Sequence, residues 1–323
     1  MTKRKKKQNN SILYLIIIII LTILSAFGIQ YVTEDKENSV VNVANPENLQ
    51  NVTIKTGSTI TKDFVSDNQE NLKVYFFDVG QADSILVMNK NQTMLIDAEN
   101  NEDGEILVEN LRTLGVTKID YLIGTHPHED HIGGLDNIIK NFEIGTIYMP
   151  KVQTNTKTFE DVLDAVAEKN LSITTPKIND TFSVGESKCK ILSVENNSKD
   201  LNSCSIVIQM KFDTLSYLFM GDAEEKVEKT ILEEFNNANN NTYISEEESI
   251  KANILKVGHH GSDTSSSENF LKAVAPEIAV ISVGIDNSYG HPNQIVLDRL
   301  NQIGSKIYRT DEVENIFIEQ MKE

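Results

Sequence analysis

Tryptophan is absent from the 323 residues, and cysteine occurs only twice. Two cysteines exclude a disulfide scaffold and any zinc site built from four thiolates. Histidine is scarce as well, with six residues, so its placement is informative. Basic residues are outnumbered: 30 Lys and Arg stand against 48 Asp and Glu, a net charge of −18. That balance argues against a protein that coats nucleic acid by charge alone. Apolar material is sufficient for a core. Hydrophobic residues make up 39%, with 12 Phe and 9 Tyr, which excludes a wholly disordered chain. The length suits one large domain with an appendage, or two modest domains.

The appendage is N-terminal. Residues 1–10 carry Lys3, Arg4, Lys5, Lys6 and Lys7 and no acid. Residues 11–30 are almost wholly apolar, with an isoleucine run from Ile16 to Ile20. About 20 apolar residues span a hydrocarbon core of about 30 Å. The predicted element is therefore a transmembrane helix, with the basic tail cytoplasmic and the rest of the chain outside a bacterial-type plasma membrane. A cleaved signal peptide is the rival, with Ala26-Phe27-Gly28 as a weak cleavage site. Signal apolar regions run to about 15 residues, so the length favours an uncleaved anchor. Either way the tail takes +5 of the charge and leaves −23 on the exported part.

Residues 31–71 read as a polar linker, with a short strand near Val52 to Lys55. The domain is expected over 72–323. Strands are predicted at Lys73–Phe77, Ser84–Asn89, Thr93–Asp97 and Ile119–Gly124, and helices at Glu105–Leu114 and Ile132–Phe142. Farther on, strands are predicted at Gly145–Met149, Lys188–Val194, Cys204–Phe212, Ser216–Met220, Asn253–Val257 and Glu277–Val283. Helices are predicted at Phe159–Lys169, Ala223–Phe235, Glu268–Val274 and Asn293–Ile303. An acidic, Asn-rich insertion runs to about Ser249. This grouping suggests sheets layered between outer helices. Cys189 and Cys204 fall on neighbouring strands, but a turn near Lys199 would not set them opposite each other, so two buried thiols are expected.

The histidines concentrate. His126-Pro127-His128-Glu129-Asp130-His131 follows a strand and opens a helix. Alternate residues of an extended segment point the same way, so His126 and His128 can share one side. Asp130 and His131 can turn to a second position at the helix start. Imidazole nitrogen and carboxylate oxygen are the usual ligands of Zn²⁺ and of harder ions such as Mn²⁺. A solvated polar loop is the bland alternative, and the density of histidine speaks against it.

His-x-His-x-Asp-His followed by Gly133-Gly134 resembles the metallo-β-lactamase superfamily. Phe77-Asp78-Val79-Gly80-Gln81-Ala82-Asp83-Ser84 is similar to the opening motif of one branch, the β-lactamase-like domain of the ComEC competence proteins. Leu95-Ile96-Asp97-Ala98, Phe219-Met220-Gly221-Asp222, Lys256-Val257-Gly258-His259-His260-Gly261-Ser262 and Ser288-Tyr289-Gly290-His291-Pro292 continue the pattern. The resemblance implies a four-layer αββα sandwich with one or two divalent metals, Zn²⁺ or Mn²⁺. It implies that His126, His128 and Asp222 hold a first metal. Asp130, His131 and His260 would hold a second, with Asp222 shared. Asp130 would also orient the attacking water; His259 would point at the metal edge or contact a substrate oxyanion, and His291 would bind substrate or support a ligand from behind, with a structural role as the alternative for both. Many members add a histidine before the bridging aspartate; here Asn202 stands near that position.

The branch implies hydrolysis of a phosphodiester, such as DNA. A second candidate is an esterase acting on envelope polymer, such as choline-phosphate groups. A non-catalytic binding module is a third. Antibiotic hydrolysis fits the later motifs poorly, and no Gly-x-Ser-x-Gly elbow supports a serine hydrolase. Nothing in the sequence calls for a protein partner. Lys151, Lys157, Lys251 and Lys256 are the candidates for a basic substrate patch.

Overall fold

The apolar runs from Leu72 onward become strands of two mixed sheets, because most of them are covered on both faces. The structure is a computed structural model. It describes residues 39–41, 49–58, 60, 68–239 and 249–322, all within the unit Asn38–Glu323. The basic tail, the apolar run 11–30 and most of the insertion lie outside the described residues. Among the described residues no helix is long and apolar enough to cross a membrane.

The first sheet contains β1 (Ser39–Val41), β2 (Val52–Gly57), β3 (Leu72–Phe76), β4 (Ile85–Asn89), β5 (Gln92–Ile96), β6 (Lys118–Ile123), β7 (Glu143–Tyr148), β8 (Ile173–Thr174) and β16 (Asn315–Gln320). Its order is β1-β2-β16-β3-β4-β5-β6-β7-β8. The second contains β9 (Thr181–Val184), β10 (Ser187–Ser193), β11 (Val207–Phe212), β12 (Leu215–Phe219), β13 (Ile254–Lys256), β14 (Ile278–Ile281) and β15 (Lys306–Arg309). Its order is β15-β14-β13-β12-β11-β10-β9. Phe76, Met94 and Ile123 meet Ile208, Tyr217 and Phe219 between the sheets. Helices Gly104–Thr113, Leu135–Asn141 and Lys157–Glu168 cover the outer face of the first sheet through Leu107, Ile138 and Val162. Helices Glu225–Asn239, Glu268–Val274 and Gln294–Gln302 cover the second through Val227, Phe270 and Val296. The result is the expected helix, sheet, sheet, helix layering.

In each sheet the parallel strands, β5 to β8 and β12 to β15, release their C-terminal ends at a common edge. Such ends gather ligand-binding loops in α/β sheets. The two edges adjoin, since Ile206 N–H donates to the Thr125 carbonyl at 3.0 Å across them.

Three expectations change. Val52–Gly57 is a full strand between β1 and β16, so the sheet reaches into the segment read as linker. The helix expected at Ile132–Phe142 is broken at Gly133-Gly134 into Glu129–Ile132 and Leu135–Asn141. A Cβ on Gly133 would lie 2.5 Å from the Glu99 carbonyl oxygen, and that carbonyl accepts the Gly133 N–H at 2.8 Å. The break therefore comes from close backbone packing, which only glycine permits. The strand expected at Cys204–Phe212 begins at Val207, because Asn202–Cys204 forms a short turn of helix. Cys189 and Cys204 are free, buried thiols, as expected.

Glu99 lies beneath this junction, 2% exposed. Burial, reinforced by the nearby Asp103 charge, pushes its carboxyl up to about 8. An ordinary glutamate titrates near about 4.3. Between those values the folded chain holds a proton that the unfolded chain has released. Stability therefore falls as pH rises through that window. Glu99→Gln should match the parent at the acidic end of the window and exceed it above about pH 8. Urea midpoints at the two ends check this; a variant equally shifted at both would contradict it.

Candidate metal centre

The His126–His131 segment is held in place before any metal is considered. It leaves β6 through Gly124 and Thr125. The Thr125 N–H and hydroxyl both donate to the buried Asp97 carboxylate, each at 2.8 Å. His128 is extended, with φ −81 and ψ 153, and begins the short helix Glu129–Ile132. The Asp130 carbonyl accepts from Asp83 N–H at 3.0 Å, and the His131 carbonyl accepts from Ala98 N–H at 2.8 Å. The extended part aims two imidazoles to one side, and the first helical turn aims Asp130 and His131 to the other.

Two donor sets result, and they share one carboxylate. His126 Nε2 lies 2.9 Å from His128 Nδ1 and 3.8 Å from Asp222 Oδ2. His131 Nε2 lies 3.2 Å from Asp222 Oδ1, and His260 Nε2 lies 3.4 Å from Asp130 Oδ2 and 3.7 Å from Asp222 Oδ1. Within each set one donor atom per residue falls inside 4.8 Å of every other. The sequence places these six residues in three separate segments, and the fold brings all of them together.

The donor chemistry fits a divalent cation. His131 Nε2, His260 Nε2 and Asp222 Oδ1 are buried, and none has a hydrogen-bond partner. Buried polar atoms of native proteins rarely stay unpaired, and three converging on one point form a donor set suited to a cation. Electrostatics agree. Burial opposes charge on His131, yet Asp222, Asp97 and Asp130 overcome it and hold that imidazole well above the usual histidine range. His260 is raised in the same way, against burial, by Asp222 and Asp83. In the first set burial, with His131 nearby, pushes His126 well below the usual range. Burial also lowers His128, which leaves both imidazoles neutral, the form that ligates metal. Burial alone would raise the Asp222 and Asp130 carboxyls, but His131 and His260 outweigh it and hold both well below the usual range.

The imidazoles are oriented from behind. His131 Nδ1 pairs with Asp97 Oδ2 at 2.8 Å, and His260 Nδ1 donates to the Ser282 carbonyl at 2.9 Å. Each bond fixes a tautomer that turns Nε2 to the centre. His259 and His260 both adopt left-handed backbone, with φ of 48 and 50. Strain of that kind gathers at functional sites. Asp97→Asn would keep the shape and lose the carboxylate. Mn²⁺ affinity should fall by about 10–100-fold, read by calorimetric titration. A change under about twofold would show that Asp97 only supports the fold.

Asn202 stands beside Glu224 and His259. Its Nδ2 lies 3.3 Å from Glu224 Oε1 and 3.5 Å from His259 Nε2. His259 Nε2 is 3.8 Å from Asp222 Oδ2, while its Nδ1 meets Glu224 Oε1 at 3.1 Å. His259 thus reaches the metal edge, and Glu224, unremarked in the sequence, orients it. The His291 ring lies 5.6 Å from the His259 ring, one step farther out, and belongs to neither set. Asp78 is exposed, and its backbone N–H donates to Asn315 Oδ1 at 2.9 Å.

Lys256 does not join a surface patch. It is fully buried, and its Nζ meets Asp83 Oδ2 at 2.7 Å. Asp83 Oδ1 faces His260 Nδ1 at 3.6 Å, so this ion pair packs directly behind the second set. An apolar-looking strand, Ile254–Lys256, hides the lysine's role from a sequence reading.

Comparison with known proteins agrees with this geometry. Residues 77–285 match the metallo-beta-lactamase superfamily. ComE operon protein 3 of Bacillus subtilis is 31% identical over 259 residues, 74% of this chain and 32% of that protein. Competence protein ComA of Neisseria gonorrhoeae is 29% identical over 248 residues, 76% of this chain and 32% of that protein. The chain thus spans about a third of the length of these relatives. A solved structure of the CmlA beta-hydroxylase E377D mutant superposes with a TM-score of 0.50 at 14% identity, covering 76% of this chain and 53% of that one. That likeness concerns the fold alone. With the donor sets, the sandwich and the matched residues in agreement, the chain belongs to the metallo-beta-lactamase superfamily and carries a domain related to those of the ComEC-type competence proteins.

Proposed function

We propose that the chain is a metal-dependent phosphodiesterase, held at the outer face of a membrane by its N-terminal apolar segment. Its main support is the pair of donor sets that meet on the two oxygens of Asp222. His126, His128 and Asp222 would hold one ion, and Asp130, His131, His260 and Asp222 the other. A pair of divalent ions supplies Lewis acidity toward both the attacking and the leaving oxygen of an in-line displacement.

The chain's own residues do the rest. Asp130 is the most open member of its set, with its side chain 31% exposed, and can accept a hydrogen bond from the attacking water. His259 sits at the rim, its Nδ1 held by Glu224, where its ring can contact a phosphoryl group of the substrate. His291 extends that rim outward. The Asp83–Lys256 pair keeps His260 backed by a fixed charge distribution rather than by mobile water. The competence proteins named above make nucleic acid the first substrate to test. The overall fold does not choose the reaction, so the assay must.

Full-length protein in detergent, supplied with Mn²⁺ or Zn²⁺, should hydrolyse single-stranded DNA and bis(p-nitrophenyl) phosphate. His128→Ala should remove the activity while the circular dichroism spectrum is retained. Turnover of a choline phosphate ester in place of DNA would assign the site to envelope polymer. No hydrolysis with either metal would reject the phosphodiesterase proposal.

A further inference from the structure

Among the described residues, the loop from Gly284 to Pro292 carries the two most exposed large apolar side chains, Ile285 at 76% and Tyr289 at 72%. Single exposed apolar residues are ordinary. Tyr289 differs because of what lies beneath it. Its ring stacks on His291, with centroids 5.8 Å apart and planes 25° apart. His291 in turn meets His259 edge-on, at 5.6 Å and 73°. His259 Nε2 is 3.8 Å from Asp222 Oδ2. An aromatic face in solvent is thus joined to the metal edge by two consecutive ring contacts.

The loop holds that face still. The Asn287 side chain brackets it, donating to the Gly284 carbonyl at 3.0 Å and the His291 carbonyl at 2.6 Å, and accepting the His291 N–H at 3.0 Å. Its far end docks on the turn that carries His259 and His260. Asn293 N–H donates to the Gly261 carbonyl at 2.8 Å, and a Cβ on Gly261 would sit 2.6 Å from Pro292 Cβ. A platform fixed in this way costs little ordering on binding.

We propose that Tyr289, backed by His291, is a stacking platform for a nucleobase adjoining the phosphodiester that His259 and Asp222 face, so that the substrate class is single-stranded nucleic acid or nucleotide. This rests on the phosphodiesterase proposal. A flat ring with one face against His291 offers its other face to one planar group. A quaternary ammonium group is instead enclosed by several aromatic faces, and among the described residues no Phe or second Tyr ring is paired with Tyr289. Net charge points the same way. A chain of −18 gains little from neutralising phosphates along a strand, whereas stacking on a base is sequence-tolerant and adds affinity without cationic side chains.

The test uses full-length protein in detergent with three probes: a short oligothymidylate, the same oligomer with abasic sites, and p-nitrophenyl phosphorylcholine. Tyr289→Ala should raise KM for the oligothymidylate by about 5- to 150-fold, with the effect on KM rather than kcat. Tyr289→Phe should keep the parent KM. Fluorescence anisotropy on metal-free protein should show the parent binding oligothymidylate more tightly than the abasic oligomer, and Tyr289→Ala losing that preference. An unaltered KM in Tyr289→Ala would overturn the platform and leave the phosphodiesterase proposal standing. A loss confined to the choline ester would overturn it in favour of an ammonium site. Absence of cleavage by the parent would reject the phosphodiesterase proposal, and the anisotropy comparison would still decide whether Tyr289 binds a base.

Discussion

Asp222→Asn should leave the protein folded and nearly inert. The Asp222 oxygens face different donor sets, Oδ2 toward His126 and Oδ1 toward His131 and His260. An amide keeps the shape but has one weak acceptor and no charge. Both sets therefore lose their shared anion together. Lewis-acid stabilisation amounts to several kcal/mol, and each 1.36 kcal/mol is tenfold in rate, so hydrolysis should fall by roughly 10³-fold or more. Thermal unfolding supplies a second readout. Mn²⁺ should raise the melting temperature of the parent, because only the folded state presents the sets, and should raise that of the variant little or not at all. Retention of more than about a tenth of the parental rate would contradict a bridging role.

Lys256→Met should destabilise the fold strongly. The lysine is fully buried and meets Asp83 Oδ2 at 2.7 Å. Methionine fills much of the same space but leaves the buried Asp83 charge without its ammonium partner. Breaking a buried pair from one side costs about 3–5 kcal/mol, whereas replacing both partners is far milder. At roughly 2–4 °C per kcal/mol for a domain of this size, the melting temperature should drop by roughly 6–20 °C. The double variant Asp83→Asn with Lys256→Met should recover most of that loss. Differential scanning calorimetry of the three proteins decides the matter. A double variant as unstable as Lys256→Met alone would show that the lysine stabilises by packing and not by charge.

Much of the site was legible because its chemistry is concentrated in residue types that are rare in this chain. Six histidines lie in three short motifs, and each motif lies in a loop that follows a strand at the edge that the parallel pairings create. The helix Glu268–Val274 was predictable residue for residue, since Ser267 caps it by accepting the Phe270 N–H. The parts that escaped depend on contacts across long separations. The strand near Val52 was expected, but its place in the sheet was not, since that comes from its pairing with the C-terminal β16. The break at Gly133 depends on the backbone at Glu99, which no helical periodicity reports. Lys256 reads as a surface charge until Asp83 is placed against it from another sheet. Glu224 acquires meaning only when His259 turns back in left-handed conformation to meet it.

The central claim is that one carboxylate divides two cation positions. Anomalous diffraction from crystals grown with Mn²⁺ tests it most directly. Two peaks are expected, one on each side of Asp222: the first among His126, His128 and Oδ2, the second among Asp130, His131, His260 and Oδ1. A map with no peak at Asp222, or with manganese bound only elsewhere on the chain, would contradict it.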